Sequence, residues 1–405
     1  MRRIPTLTIL LALPLTLALS ACCEDEPAGL SEAREFYAAR PVEERPKGGF
    51  QTVPEGLPDL RAATCGGCHT AIYDEWRVST HGLAWVDPQF QQEITKSGNR
   101  WLCNNCHTPL LNQMEQWAVG LDENDVEKPR YVPNPDYDPA FRDEGITCAS
   151  CHVRGGVIEG PTGAATPAHA TRKAARFLDQ TLCLECHQAV REYPGKTFTC
   201  VFNTGEEWKA GPFGKAAVSC QSCHMQEVER PVATGAASRR GRRHFFPGAG
   251  IPKFADKAPP LDQLFPGMDV AAVQAETALQ LTLTNRAGHM LPTGDPERFI
   301  TVTIRFVGPD DALIKEEVLR IGQLWEWWPA PKKLDDNRLT PGESRPVSVR
   351  RPDTAVAWTV EVRSHRINGE AAAYHGLADY PASRQTQKLE GRWEVAEAPG
   401  EVVVP

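Results

Sequence analysis

The segment "CGGCHTAIYDEWRVSTH" at residues 65–81 decides the fold. It holds two cysteines three positions apart, a histidine directly after the second cysteine, and a further histidine, His81, twelve residues after His69. The same Cys-x-x-Cys-His order returns four more times along the chain. The five cysteine pairs are Cys65 and Cys68, Cys103 and Cys106, Cys148 and Cys151, Cys183 and Cys186, and Cys220 and Cys223. Each copy is the sequence at which a c-type haem is attached.

The spacing within the motif suits this chemistry. Two cysteines three positions apart lie on one face of a helical turn, so both can form a thioether with one porphyrin. The histidine after each pair can then bind the iron as an axial ligand. These proximal histidines are His69, His107, His152, His187 and His224. The chain is therefore expected to carry five covalently bound haem c groups, each with its iron.

Zinc knuckles and redox-active cysteine pairs are the alternatives, because they use the same cysteine spacing. Histidine is scarce, however, with 11 copies in 405 residues, and it follows all five cysteine pairs. This coincidence favours haem. The motif histidines are 38, 45, 35 and 37 residues apart. Segments so short cannot each enclose a porphyrin, so the haems are expected to pack against one another and form a continuous path for electrons.

The amino-terminal residues are expected to direct the protein out of the cytoplasm. Arg2 and Arg3 precede an apolar stretch too short to span a membrane, which predicts a signal peptide over residues 1–21. The sequence "LSAC" at its end resembles the bacterial lipobox and predicts acylation of Cys22, with an ordinary cleavage site as the alternative. Residues 22–60 are charged and rich in proline and glycine, which predicts a flexible tether.

The protein is therefore expected on the periplasmic side or at the cell surface. The lipid on Cys22 would anchor it to a membrane. Cys23 stands where an aspartate would favour inner-membrane retention in enteric bacteria, so the outer membrane is favoured. Whether Cys23 and Cys200 pair with each other or stay free is not readable from the sequence.

The histidines outside the motifs decide how many of the five irons have a second axial ligand. Each iron needs one such ligand, in addition to its motif histidine, to be six-coordinate. These histidines are His81, His169, His244, His289, His365 and His375. His81 is expected to be a distal haem ligand because it follows a motif closely. Twelve residues of straight helix span about 18 Å, so His81 would then serve a neighbouring haem; a bend at "VST" would let it reach its own.

Several segments together carry a family resemblance. "CGGCHTAIYDEWRVSTH", "EGITCASCHV", "CLECHQ", "TGEEWKAGPFGKAAVSCQSCHM" and "RRHFFPGAG" resemble the multihaem cytochrome c family typified by the tetrahaem electron carrier of ammonia oxidisers, which is related to hydroxylamine oxidoreductase. The resemblance covers about residues 60–250 and implies that His81, His169 and His244 are distal ligands. "NRAGHMLPTGDPER" resembles a segment of related multihaem lipoproteins with a carboxy-terminal β domain, and implies that His289 returns to ligate a haem.

Four distal histidines would leave one of the five irons without a second imidazole. That iron is either open to a small ligand, as one haem is in the tetrahaem member of the family, or closed by another residue. The candidates are Met114, Met225, Met268, Met290, His365 and His375. Met114 is the first methionine to test, although a packed core methionine is the simpler interpretation. His365 and His375 are expected to face solvent.

From about Ala271 onward the sequence changes to alternating apolar and polar residues separated by turn residues. Segments such as "TALQLTLTN", "RFITVTIRFVG" and "AVAWTVEVRSH" predict antiparallel strands with one buried face. Six to eight such strands predict a β-sandwich-like domain over residues 271–405. Trp325, Trp327 and Trp328 are expected between the sheets, with an exposed docking patch as the alternative.

The expected protein is thus multidomain, with a pentahaem cytochrome c domain of short helices and irregular segments over residues 61–255, followed by the all-β domain. Electron transfer between redox partner proteins is the expected function. The rival is an oxidoreductase acting on a small nitrogen or oxygen compound at one open iron, although no Cys-x-x-Cys-Lys motif of multihaem nitrite reductases is present. A third hypothesis is a scaffold subunit of a larger electron conduit.

The charged residues bear on the choice of partner and on the role of the arginines near His244. The formal net charge of −8 disfavours nucleic acid as a partner. Arginines near His244, at 239, 240, 242 and 243, are candidate counter-ions for haem propionates.

Overall fold

The structure is a computed structural model that describes residues 26–393 except 98–99, 167, 197, 261, 263, 265–266 and 378. The expected signal peptide, Cys22 and Cys23 lie outside the described residues, and so does the carboxy-terminal "GEVVVP". Within the described part, no helix has both the length and the apolar character needed to cross a bilayer.

The helices are short, and each attachment motif coincides with one of them. The helices are α1 (Leu30–Ala38), α2 (Ala62–Gly66), α3 (Thr70–Trp76), α4 (Pro88–Ser97), α5 (Arg100–His107), α6 (Pro139–Arg142), α7 (Cys148–His152), α8 (Thr181–His187), α9 (Thr204–Ala210), α10 (Pro212–Lys215), α11 (Gln221–His224) and α12 (Gly369–Tyr374). Four motif histidines are the last residue of their helix, and His69 follows α2 with its N–H bonded to the Cys65 carbonyl at 2.9 Å. The two cysteines of a motif therefore share one face of a turn.

Small sheets fill the spaces between the motif helices. Their strands are β1 (Gln116–Leu121), β2 (Pro129–Pro133), β3 (Val153–Arg154), β4 (Val157–Gly160), β5 (Ala164–Ala165), β6 (Ala170–Lys173), β7 (Gln188–Arg191), β8 (Cys200–Asn203), β9 (Glu227–Pro231) and β10 (Ser238–Arg242). They pair as β1–β2, β7–β8 and β9–β10, with a four-stranded sheet in the order β3-β4-β6-β5. The sequence predicted irregular segments here, so the mixture of short helices with short strands is richer in sheet than expected.

The carboxy-terminal third contains two larger antiparallel sheets. Their strands are β11 (Met268–Gln274), β12 (Ala278–Asn285), β13 (Phe299–Val307), β14 (Leu313–Glu326), β15 (Lys332–Asp336), β16 (Ser344–Arg350), β17 (Ala357–His365) and β18 (Ser383–Arg392). One sheet has the order β11-β12-β16 and the other β15-β14-β13-β17-β18. The strands predicted from the alternating segments are confirmed at β12, β13 and β17.

A single apolar core joins these two sheets. Leu279, Leu281 and Leu283 of β12 are at most 1% exposed, and they belong to the same buried cluster as Val302 and Ile304 of β13. Alternate residues of a strand point to one face, which explains why every second residue of β12 and β13 is buried. The two sheets therefore pack face to face.

The prediction of a flexible tether over residues 22–60 is wrong for residues 30–38, which form a packed helix. Helix α1 buries Leu30, Ala33 and Tyr37 in a cluster with Trp101 and Trp117. These three positions follow the spacing of one helical face, a signal hidden by the charged composition around it. Residues 50–51 are also attached, because the Gln51 backbone exchanges two hydrogen bonds, of 2.8 and 3.0 Å, with the Asn112 side chain.

The expected burial of the three tryptophans is also wrong. Trp328 is 76% exposed, and Trp325 stacks on Trp327 with ring centroids 5.2 Å apart. The reason lies in the unequal strand lengths: β13 pairs with β14 only as far as Gly322, and the last part of β14 pairs with β15 alone. The tryptophans lie beyond the region that the opposite sheet covers.

Candidate metal centres

Eight of the eleven histidines face one another in four pairs. Each pair joins one motif histidine to one histidine from outside the motifs. The ring centroids are 6.2 Å apart for His69 and His169, 6.2 Å for His187 and His81, 6.4 Å for His152 and His244, and 6.3 Å for His224 and His289. The partners come from distant parts of the chain, so the fold itself creates these pairs.

The separation within each pair fits one metal held between two imidazoles. An imidazole nitrogen binds a metal at about 2 Å and lies about 1.1 Å from the centroid of its own five-membered ring. Two rings on opposite sides of one metal therefore have centroids about 6 Å apart. With a Cys-x-x-Cys pair next to one histidine of each pair, the residues present fit a haem with two axial histidines.

Backbone carbonyls fix the orientation of the candidate ligands. The Nδ1 atom of His69 lies 2.7 Å from the Val232 carbonyl, and that of His224 lies 2.7 Å from the Pro247 carbonyl. His152 makes the same contact with Glu159 at 2.8 Å, and His107 with Ala84 at 3.0 Å. A hydrogen bond donated by Nδ1 leaves the lone pair of Nε2 free for a metal.

Two of the partner histidines, His244 and His289, are held in the same way. The Nδ1 atom of His244 lies 3.0 Å from the Arg242 carbonyl, and that of His289 lies 2.8 Å from the Met290 carbonyl. Burial lowers the pKa of His81 to about 3 and the pKa values of His107, His187 and His244 to about 4. Neutral imidazole is the form that binds iron.

His81 pairs with the fourth motif rather than with its own. Helix α3 ends at Trp76, and His81 lies in the turns that follow. Its carbonyl accepts a hydrogen bond from the Ile146 N–H at 3.1 Å. Gly145 has φ +59°, and a Cβ there would lie 2.9 Å from the His81 carbonyl oxygen, so only glycine fits this close approach.

Among the residues that the structure describes, His107 is the motif histidine without an imidazole partner. Its ring contacts Phe90 in a parallel stack, with centroids 3.6 Å apart, and no other described histidine. Met114, the first methionine to test, is 1% exposed and packs with Trp101 and Trp117. Met268 likewise packs against the core of the two large sheets.

The remaining two histidines are not the solvent-facing residues that were expected. His365 stacks on Phe299 with centroids 4.3 Å apart and bonds the Thr301 hydroxyl at 2.9 Å. The side chain of His375 is 10% exposed and lies 3.5 Å from the Glu93 carboxylate. Both are partly buried through contacts with protein groups.

Contacts between cysteines of different motifs show which centres are neighbours. The Cys65 and Cys148 thiols are close enough for each to shift the pKa of the other, which places the first centre next to the third. In the same way Cys106 and Cys186 join the second to the fourth. Cys183 and Cys220 join the fourth to the fifth.

One phenylalanine connects the third and fourth centres. The Phe246 ring lies 4.3 Å from the His81 ring and 5.6 Å from the His244 ring, measured between centroids. Since His244 faces the third motif histidine and His81 the fourth, Phe246 fills the space between the two pairs. The spatial order is therefore first, third and fourth, with the fourth next to both the second and the fifth.

Glu75 is a buried site residue that sequence reasoning missed. It is 4% exposed and accepts hydrogen bonds from Arg230 at 2.5 and 2.8 Å, from Arg243 at 2.8 Å and from the His244 N–H at 2.8 Å. Burial alone would raise the pKa of its carboxyl, but these bonds hold the pKa below its usual range. No local pattern indicates contacts between residues 155 positions apart.

The arginines near His244 are thus engaged with protein groups, which limits the counter-ion role suggested for them. Arg243 pairs with Glu75 at 2.8 Å, and Arg242 donates to the carbonyls of Gln221 and Met225. Arg240 is exposed and lies 3.7 Å from Glu227.

Cys200 lies on β8 near the second motif. Burial, together with the nearby Cys106 thiol, raises the pKa of the Cys200 thiol to about 12. It forms no disulfide with another described cysteine.

Comparisons with known proteins place the fold. One solved structure, a penta-heme cytochrome c552 from Thermochromatium tepidum, aligns with a TM-score of 0.60 and 16% sequence identity, covering 87% of this chain and 100% of that chain. The chain has the fold of that cytochrome. No family model matches the chain, and no curated protein matches it. The alignment shows the fold alone, and the relation to the tetrahaem carrier of ammonia oxidisers stays a prediction.

Proposed function

We propose that the chain is an exported, lipid-anchored pentahaem c-type cytochrome that passes electrons between redox partner proteins. The observation that carries the proposal is the set of four imidazole pairs at metal-bridging distance, each beside a Cys-x-x-Cys motif. In this proposal the ten motif cysteines form the thioethers. His169, His81, His244 and His289 are the distal ligands of the first, fourth, third and fifth haems.

The arrangement of the residues favours conduction through neighbouring haems. When bound, each haem supplies an iron that exchanges one electron between two oxidation states. The neighbouring cysteines of different motifs would bring the attachment edges of successive porphyrins together. The backbone carbonyls that contact Nδ1 of the ligand histidines would hold these rings still, so little rearrangement would accompany electron transfer.

The fourth haem would be a branch point in this path. It lies beside the third through Phe246, beside the second through Cys106 and Cys186, and beside the fifth through Cys183 and Cys220. Electrons arriving from the first and third haems could then leave by either of two neighbours. A branched conductor suits a protein that serves more than one partner.

The proposed domain arrangement follows the same division of the chain. Residues 61–255 would form the pentahaem domain and residues 271–405 the β-sandwich-like domain. If Cys22 is acylated, three residues separate it from Glu26, and the four steps between the two Cα atoms span at most about 14 Å. Because α1 packs on the body of the protein, the haem domain would lie close to the membrane surface, for which the outer membrane is the proposed location.

The oxidoreductase alternative would have to use the iron of His107, the motif histidine without an imidazole partner in the described part. Four of the five centres have two imidazoles, and closed irons exchange electrons without binding a substrate. The fold is also that of a cytochrome. Electron transfer is therefore the function that the geometry supports best.

The haem content of the purified holoprotein tests the proposal directly. The mass of the denatured mature chain should exceed its polypeptide mass by five haems, and paramagnetic resonance should show low-spin irons with two imidazoles. His289→Ala should convert one of these signals to high spin. His365→Ala removes a histidine that stacks on Phe299 and serves as the matched control, with an unchanged spectrum expected. Fewer than five bound haems, or an unaltered spectrum for His289→Ala, would contradict the assignment.

A further inference from the structure

The second centre is distinguished by the loop that lies behind its histidine. The Ala84 carbonyl lies 3.0 Å from Nδ1 of His107, and the Phe90 ring stacks on the imidazole at 3.6 Å. One segment of seven residues, 84–90, therefore contacts His107 at both of its ends. The position of this segment decides how strongly the carbonyl accepts the Nδ1–H hydrogen bond.

Asp87, in the middle of this segment, ties it to the carboxy-terminal part of the chain. It is 3% exposed, and its Oδ1 accepts a hydrogen bond from the Tyr380 hydroxyl at 2.9 Å. Its Oδ2 forms an ion pair with Lys253 and lies 4.0 Å from Arg366. Tyr380 and Arg366 follow β17, whereas Lys253 belongs to the segment that leads to the large sheets.

The groups around Asp87 are themselves buried. Tyr380 is 9% exposed, and the side chains of Lys253 and Arg366 are 13% and 9% exposed. Arg366 also donates to the Ile251 carbonyl, so it joins Asp87 to the segment that carries Lys253. A buried carboxylate between two buried cations is costly to disturb, because removing one partner leaves an uncompensated charge.

We propose that Asp87 is a positioning residue through which the carboxy-terminal β part sets the reduction potential of the second haem. The inference rests on the proposed function, since it requires a haem on His107. A hydrogen bond from Nδ1 to a fixed carbonyl makes the imidazole a stronger electron donor, which stabilises the oxidised iron. The negative charge of Asp87 acts in the same direction.

Redox titration of the full-length holoprotein, followed by optical and paramagnetic resonance spectra, tests this inference. The second haem is recognised as the component outside the four signals with two imidazoles. In Asp87→Asn, its midpoint potential should rise, because the carboxylate charge is lost and the Ala84 carbonyl is held less firmly. The other four potentials should stay unchanged. Tyr380→Phe keeps the charge and removes the hydroxyl that donates to Asp87 and Gln89, so a smaller shift in the same direction is expected.

Glu207→Gln provides the matched control. Glu207 is a buried carboxylate in another contact with the carboxy-terminal part, where it pairs with Arg338 at 2.7 Å and accepts a hydrogen bond from the Thr293 hydroxyl. It lies near the fifth centre, since Thr293 follows His289 by four residues. This variant should leave the potential of the second haem unchanged.

The outcomes separate the inference from the proposed function. Unchanged potentials in a folded Asp87→Asn protein, or an equal shift of all five haems, would overturn the role of Asp87. If Asp87→Asn does not fold, the Tyr380→Phe titration decides, and no shift there overturns the inference. A wild-type protein without bound haem would instead refute the proposed function itself.

Discussion

The haem-motif region and the carboxy-terminal sheets are stabilised in different ways. In the sheets, one apolar cluster joins buried side chains of both layers, with Val302, Ile304 and Phe306 fully buried. Between residues 61 and 255 the apolar clusters are smaller and separate, and the motif cysteines next to them are only partly buried or exposed. The difference indicates that the sheets supply their own core, whereas the motif region depends on the porphyrins as large apolar discs.

Loss of the haems should therefore have the largest effect, and it should be confined to one region. If all ten motif cysteines are replaced by alanine, we expect residues 61–255 to lose their cooperative structure and the sheets β11–β18 to keep theirs. Hydrogen exchange measured by mass spectrometry on the full chain would report both regions at once, with the holoprotein as control. If the amides of residues 61–255 stayed protected from exchange without haem, the motif region would not depend on the porphyrins for its stability.

Within the motif region, Glu75 is expected to be the most sensitive polar residue. Glu75→Gln leaves Arg230 and Arg243 without their buried counter-charge, which should cost about 4 kcal/mol of unfolding free energy. It should also release the His244 loop, so that the third iron becomes high-spin in paramagnetic resonance.

The control for Glu75 is Glu227→Gln, because Glu227 is a half-exposed carboxylate paired with Arg240 and Arg242. Exposed pairs contribute about 0–1 kcal/mol, so this variant should keep both the stability and the spectrum of the wild type. An unchanged spectrum in Glu75→Gln as well would show that the His244 loop is held by other contacts.

A cavity in the core between the two large sheets should lower the unfolding free energy without changing the environment of the haems. Leu281 is 1% exposed in the shared core, and Leu281→Ala should cost about 3 kcal/mol through lost apolar contacts and the cavity left behind. Thermal unfolding followed by far-ultraviolet circular dichroism measures the loss, while the haem absorption spectrum at room temperature should stay constant. An altered haem spectrum would show that the two regions are less independent than their cores indicate.

Helix α1 tests whether the amino-terminal segment belongs to the body of the protein. Leu30 is fully buried against the cluster of Trp101 and Trp117, so Leu30→Ala should weaken the local packing by about 2 kcal/mol. Limited proteolysis should then cut residues 39–48 faster than in the wild type. Equal cleavage rates in both proteins would favour the tether predicted from composition.

Sequence reasoning succeeded where the signal was local and failed where it was not. The attachment motifs lie within five residues, and strands such as β12 and β13 carry a strict alternation, so both could be read directly. The pairing of His81 with His187 and the bonds from Glu75 to Arg230 join residues that only the fold brings together. Composition misled for α1, because three apolar positions on one face were hidden among charges.

The exposed tryptophans give the smallest expected effect and the finest test of where the sheet core ends. Trp328 is 76% exposed beyond the last residue that β14 shares with β13, so Trp328→Ser should change the unfolding free energy by less than about 0.5 kcal/mol. Trp358 of β17 is 6% exposed and bonds Gln274 at 2.9 Å, so Trp358→Ser should cost about 3 kcal/mol or more. Chemical denaturation of both variants measures the contrast. A large loss for Trp328→Ser would mean that the tip between β14 and β15 is covered in the native protein, and that the boundary of the core lies farther along β14 than the strand pairing shows.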